Sequence, residues 1–154
     1  MSADAKSPLG GGCQCGAVRY SLRMEPERSH YCHCRMCQRA TGNLFAALAG
    51  SHKDKLEWSG APPAFFASST LAQRGFCPRC GTPLSFSYND SEWIYVTIGS
   101  LDDPARAKPG MHFGVESQVP WLHIEDGLKR EPTQDNDKLR AMTVFQFGGA
   151  SSHG

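Results

Sequence analysis

Seven cysteines, Cys13, Cys15, Cys32, Cys34, Cys37, Cys77 and Cys80, fall in three clusters with the patterns C-x-C, C-x-C-x-x-C and C-x-x-C. No other feature constrains the fold of this chain as strongly. Three thiols within six positions cannot all pair with one another, and an odd total leaves at least one cysteine outside any disulfide framework. The opening "MSADAKSPLGGG" has no apolar core of the kind a secretory signal carries. It reads as a flexible leader over residues 1–10, and the expectation is a cytoplasmic protein whose thiols stay reduced. Metal therefore accounts for the cysteines better than disulfides, and thiolate ligands favour zinc.

Local geometry explains how these spacings chelate. Residues two apart in an extended segment project to the same side, so Cys13 and Cys15 are expected to present both sulfurs together; a pair of buried small hydrophobes is the alternative. "CPRCG" (77–81) has the form of a metal knuckle, in which Pro78 presets φ for a tight turn and Gly81 closes it in the left-handed conformation. The middle cluster combines two devices. Cys32 and Cys34 share a side of an extended entry, Cys34 and Cys37 share a face at helical i, i+3 spacing, and Gly42 is placed to stop that short helix. A structural zinc takes four protein ligands, whereas a catalytic one keeps three and leaves one position open. Seven is four plus three. Spacing alone still leaves open an exchange of partners between the pairs, and a histidine as a fourth ligand of the triad.

At 154 residues the chain is one domain, long enough to bury about 68–70% of its unfolded surface. Its net charge of +1, with both signs spread along the sequence, offers no basic face for nucleic acid. The longest apolar run, "LFAALAG" (44–50), is far short of the roughly 18 residues of a membrane span. Period-2 alternation marks a strand in "AVRYSLRM" (17–24), and "PLSFSY" (83–88), "NDSE" and "WIYVTIG" (93–99) read as a hairpin. Further strands are expected at 44–49, 63–67, 111–116 and 119–124, and a loop or single helical turn at 101–110. The class is mainly β and mostly antiparallel, with short helical turns and zinc clips between strands.

The stretches "GGCQCGAVRY" (11–20), "CHCRMCQRATG" (32–42), "SSTLAQRGFCPRCGTPL" (68–84) and "IGSLDDP" (98–104), in this order and spacing, resemble the family of the glutathione-dependent formaldehyde-activating enzyme, which includes centromere-protein-V-like proteins. The resemblance runs over residues 11–131, leaving 132–154 as a C-terminal extension. It implies a β-tent of small antiparallel sheets around a structural zinc on Cys13, Cys15, Cys77 and Cys80. It further implies a second, catalytic zinc on Cys32, Cys34 and Cys37, hence two zinc ions per chain. The implied activity is that of a carbon–sulfur lyase, an S-(hydroxymethyl)glutathione synthase joining glutathione to formaldehyde.

Chemistry at a three-thiolate site favours a thiol substrate independently. Three thiolates on Zn²⁺ leave a formal charge of −1, a poor activator of water but a good acceptor for a soft thiolate, which can then add to a small carbonyl. Arg35 and Arg39 are candidates to pair with the carboxylates of glutathione, or are solvated helix charges. His33, between two ligands, points away from the metal and is a weak candidate base; His112 is expected either near the site or as a core histidine. Phe45, Phe66, Trp93 and Trp121 read as core. Two other functions compete: a non-catalytic zinc-stabilised binding module, marked by a basic or exposed aromatic surface, and a thiol redox sensor. The partners expected are a small thiol and a small carbonyl, with neither nucleic acid nor membrane. In the extension, "MTVFQF" (142–147) can supply an edge strand or a homodimer contact, and "GGASSHG" a flexible tail.

Overall fold

A computed structural model of the chain describes residues 7–143. A three-stranded sheet is built from β1 (Leu9–Gly12), β2 (Val18–Leu22) and β5 (Leu56–Gly60), in the order β1-β2-β5. The other strands are β3 (Glu27–Cys32), β4 (Ala46–His52), β6 (Ala64–Ala67), β7 (Ala72–Phe76), β8 (Pro83–Tyr88), β9 (Trp93–Thr97), β10 (Met111–Phe113) and β11 (Lys129–Glu131). They form an eight-stranded sheet in the order β11-β10-β3-β4-β9-β8-β7-β6. Two short helices, α1 (Arg35–Thr41) and α2 (Asp137–Arg140), complete the regular structure with a few 3₁₀ turns. The fold is mainly β, and pairing is antiparallel except at β10, which runs parallel to both β3 and β11.

Alternation produces the expected result in β2, where Val18, Tyr20 and Leu22 are buried and Arg19 and Ser21 are not. The hairpin forms as β8 and β9, with Ser85 opposite Val96. The strands expected at 44–49 and 63–67 form as β4 and β6, whereas the two later ones shorten or vanish. Residues 111–116 give only Met111–Phe113, and 119–124 form a turn in which Leu122 N donates to Val119 O at 3.0 Å. Pro120 brings no N–H to a ladder, and Gln118 Nε2 closes the turn onto Leu122 O at 2.8 Å. Leu9 and Gly10, expected in the leader, begin β1. Three glycines make a strand there because Gly11 lies under the Tyr20 ring, whose Cζ would be 2.3 Å from a Cβ at that position. Tyr20 is in turn fixed by a 2.6 Å hydrogen bond between its hydroxyl and that of Ser100.

Two apolar clusters result. One, between the sheets, packs Leu9, Val18, Leu22, Leu84 and Val96 around Cys13 and Cys77. The other groups Cys32, Cys34 and Cys37 with Ala46 and Leu48, flanked by Met36, Tyr95 and Phe113. Phe66 and Trp121, expected in the core, are instead 43% and 69% exposed, while Phe45 and Trp93 are half-buried. Past β11 the chain folds back on the large sheet. Thr133 is buried and bonded to Glu116, Asn136 caps α2 by accepting from Leu139 N, and Thr70 N donates to Thr143 O at 3.0 Å. Of the 142–147 segment, only Met142 and Thr143 are described; the strand or dimer contact expected there lies outside the described residues. Among the described residues no helix is long and apolar enough to cross a membrane.

Candidate functional site

The first two cysteines sit on the β1–β2 turn rather than on an extended segment. Cys13 N donates to Val18 O at 3.0 Å and Gly16 N to Cys13 O at 3.1 Å, and this turn brings the sulfurs of Cys13 and Cys15 to 3.5 Å. The β7–β8 hairpin supplies the other pair. Gly81 takes φ +82° and donates to Cys77 O, the knuckle its sequence predicts. Cys15 Sγ lies 3.8 Å from Cys77 Sγ, and all four sulfurs lie within 4.8 Å of one another. Four thiolates about 2.3 Å from a tetrahedral zinc are about 3.8 Å apart, so the donor set fits that ion. Amide donors point at the sulfurs as thiolates require: Val18 N to Cys13 Sγ at 3.2 Å, Cys80 N to Cys77 Sγ at 3.4 Å. The Thr82 hydroxyl beside Cys80 Sγ holds that thiol down at about 5, and the same oxygen accepts from Gln14 N, tying the turns together.

The middle triad is local and buried. Cys32 ends β3, Cys34 is the N-cap of α1 with its sulfur accepting from Cys37 N at 3.3 Å, and Gly42 ends the helix in the left-handed conformation. The three sulfurs lie within 4.8 Å of one another, and among the described residues no histidine or carboxylate joins them. Gly114 packs against this entry with φ +68°; a Cβ there would stand 2.9 Å from Cys34 N. His33 turns the other way. Its Nε2 lies 2.8 Å from His112 Nδ1, and His112 Nε2 lies 2.7 Å from Asp126 Oδ2. With the carboxylate accepting from His112, neutral rings require His33 Nε2–H to donate to His112. Burial, reinforced by His112 and Arg130, pushes His33 down to about 4, which keeps it neutral. His112 is thus a hydrogen-bonded core histidine, and neither ring faces the sulfurs.

The triad opens on a cavity of about 700 Å³. Arg74 of β7, only 5% exposed, enters its wall: Nη2 donates to Cys37 Sγ at 3.4 Å and the guanidinium lies 4.8 Å from the Phe86 ring centre. Hydrogen bonds from the Cys32 and Cys34 thiols, with the charge of Arg74, hold Cys37 well below the ordinary thiol range. Three thiolates around a Zn²⁺ ion would carry −1 and Arg74 +1, so the buried site would be neutral as a whole, and these residues too fit a zinc ion. Sequence reasoning missed Arg74. Its signal was a strand in which Ala72, Arg74 and Phe76 alternate with Gln73 and Gly75, placing an arginine on the inward face. Arg35 and Arg39 are exposed, and neither lines the cavity; its cations are Arg28, Arg74, Lys108 and Lys129.

Comparison with known proteins agrees with this geometry. The pattern of the glutathione-dependent formaldehyde-activating enzyme family matches residues 8–117. An uncharacterized lyase of Schizosaccharomyces pombe is 30% identical over 103 residues, covering 62% of this chain and 74% of that protein. A Halomonas elongata protein carrying the family's name is 28% identical over 127 residues, 76% of this chain and 81% of its own. The crystal structure of a Rhodobacter sphaeroides protein superposes with a TM-score of 0.51 at 19% identity, covering 79% of this chain and all but 2% of its own, which establishes a shared fold. With the match spanning most of its length, the chain belongs to the glutathione-dependent formaldehyde-activating enzyme family.

Proposed function

We propose that the chain is a carbon–sulfur lyase-like enzyme with two zinc ions, which adds a small thiol, glutathione or a similar one, to formaldehyde or a related carbonyl. Cys13, Cys15, Cys77 and Cys80 would hold a structural ion, and Cys32, Cys34 and Cys37 a catalytic one. The observation that carries this reading is the triad itself: three buried sulfurs facing a cavity, with no fourth ligand among the described residues. Zinc bound there would supply an acceptor for one more soft ligand and would acidify a thiol that reaches it. The chain's own residues do the rest. Cys37 N and Arg74 fix two of the three sulfurs by hydrogen bonds, and the apolar wall of Leu48, Phe86 and Phe113 limits water around them. His33 turns toward His112 and does not line the cavity, so it supplies no base there, and the thiol reaches its reactive form through its acidified S–H. Seven unpaired cysteines suit a reducing cytoplasm.

Cobalt in place of zinc tests the reading. Glutathione at millimolar concentration should strengthen the sulfur-to-metal charge-transfer band, because a three-thiolate set becomes a four-thiolate set. S-methylglutathione, with no ionisable thiol, should leave the band alone. If no small cellular thiol changes the spectrum, the enzyme reading gives way to the binding-module reading, which the exposed Phe65, Phe66 and Trp121 favour.

A further inference from the structure

Charge and polarity divide the cavity in front of Cys32, Cys34 and Cys37 into two zones. Arg28, Lys108 and Lys129 line it while remaining exposed, so they stand at its mouth; Arg28 lies 3.9 Å over the Trp93 ring and Lys129 is paired with Glu131 at 2.5 Å, which leaves the mouth with a net positive charge centred on Lys108 and Arg28. Deeper in, around the buried Arg74, the walls are mostly apolar, with Leu48, Phe86 and Phe113 from the large sheet and its neighbours and Leu139 and Met142 from the segment after β11. Those last two come from beyond the stretch that matches the family pattern. They are held in place by the Asn136 cap, by Thr133 on Glu116 and by the backbone contact between Thr70 and Thr143. About 700 Å³ is room for a drug-sized ligand. A one-carbon aldehyde has no group to place against Leu139 and Met142.

Resting on the thiol-addition reading above, we infer that the adducts handled here join an anionic thiol to an aldehyde bearing an extended apolar chain or ring. The carboxylates lie at the Arg28, Lys108 and Lys129 mouth, and the apolar group packs against Leu139 and Met142. The reaction balances without an oxidant or reductant. A sulfur lone pair forms the C–S bond, the C=O π pair moves onto oxygen, and the proton lost from the thiol ends there, so RSH and R′CHO give RS–CH(OH)R′. The reverse direction breaks the same C–S bond and regenerates both.

Calorimetric titration of the zinc-loaded full chain with S-methyl-, S-butyl-, S-hexyl- and S-benzylglutathione tests this without relying on turnover. Affinity should climb about fourfold per methylene buried. Leu139→Ser should cut the hexyl-to-methyl ratio about tenfold, the loss of contact expected when an apolar wall residue turns polar; Met142→Ser serves the same purpose if the first variant misfolds. A flat series, or affinity falling with chain length, overturns the inference. Failure here is separable from failure of the thiol-addition reading. A cobalt band that responds to glutathione beside a flat S-alkyl series sinks only the apolar-adduct inference, whereas a climbing series beside an unresponsive band upholds the cavity's preference and sinks thiol addition.

Discussion

The two cysteine clusters reach the same sulfur spacing by opposite means. One draws on two hairpin turns whose residues Cys15 and Cys77 are 62 apart in sequence, joins the small sheet to the large one, and leaves Cys15 and Cys80 exposed. The other occupies six consecutive positions, is wholly buried, and carries its own counter-charge in Arg74. A metal tying distant turns would act on the fold, because closing so long a loop without it leaves the entropy uncompensated. One bound by a contiguous triad already held by a helix cap would act on the cavity instead. The difference predicts which mutations unfold the chain and which merely empty a site.

The largest effect should come from Cys77→Ser. Structural zinc contributes on the order of 10–16 kcal/mol of folding free energy in small domains, as much as the roughly 5–15 kcal/mol that keeps a typical domain folded. Insoluble protein, or a far-ultraviolet dichroism spectrum without the native β signal, is the expected outcome. A soluble, cooperatively folded variant still holding two zinc ions per chain would reverse the contrast between the clusters. Cys34→Ser is the matched experiment at the other centre. It should lose about one zinc per chain, the count of one broken three-ligand site, and should abolish any thiol response of the cobalt spectrum while leaving the dichroism spectrum intact. Unfolding of this variant would mean that the triad, and not the four-cysteine tie, organises the fold.

How much of this was legible in the sequence differs between the clusters for the same reason. Ligand number suggests a division of seven sulfurs into four and three while spacing leaves the partners open, and the structure groups Cys13, Cys15, Cys77 and Cys80 apart from Cys32, Cys34 and Cys37. Local devices also read directly: the Gly42 stop, the Gly81 knuckle and the outward turn of His33 between two inward cysteines. What depended on pairing between distant strands did not. "ERSHYC" has no alternation, carries a positive φ at Arg28 and shifts register between Glu27 and His30, yet it is a strand because β4 and β10 flank it. The alternation in β7 marks Arg74 as inward-facing, but its contact with Cys37 became visible only once β7 lay beside β8 in the same sheet as the triad. The aromatic residues Phe66 and Trp121 misled because hydrophobicity alone does not say whether an edge strand or a turn will be covered.

Arg74 offers the next sharpest test of the buried centre. A charge-assisted hydrogen bond of this kind is worth about 1.5–3 kcal/mol, or roughly 10- to 150-fold in retention of the triad's metal. Arg74→Gln should therefore surrender that zinc to a competing chelator at correspondingly lower chelator concentration, with the four-cysteine metal unaffected. Arg74→Lys keeps the charge without the planar fork and should fall between the two. Equal retention in all three proteins would show that the guanidinium serves the cavity rather than the cluster.

The smallest effect separates the clusters at their glycines. Gly81 beside the closed site and Gly114 beside the open one both take left-handed backbone, with φ +82° and +68°. A Cβ at 81 meets nothing within 4 Å, whereas one at 114 would stand 2.9 Å from Cys34 N, a backbone atom that cannot swing aside. Alanine at either position pays the left-handed cost of about 1–2 kcal/mol; at 114 the clash must also move the helix cap that carries Cys34. Gly81→Ala should then lower the melting temperature and leave both metals bound. Gly114→Ala should lower it by a comparable or larger amount and, in addition, weaken the triad's zinc in the same chelator competition. If Gly114→Ala loses stability alone, the cap tolerates displacement and the open centre is looser than its burial implies. If Gly81→Ala loses metal, the knuckle depends on its turn more tightly than the open space around it indicates.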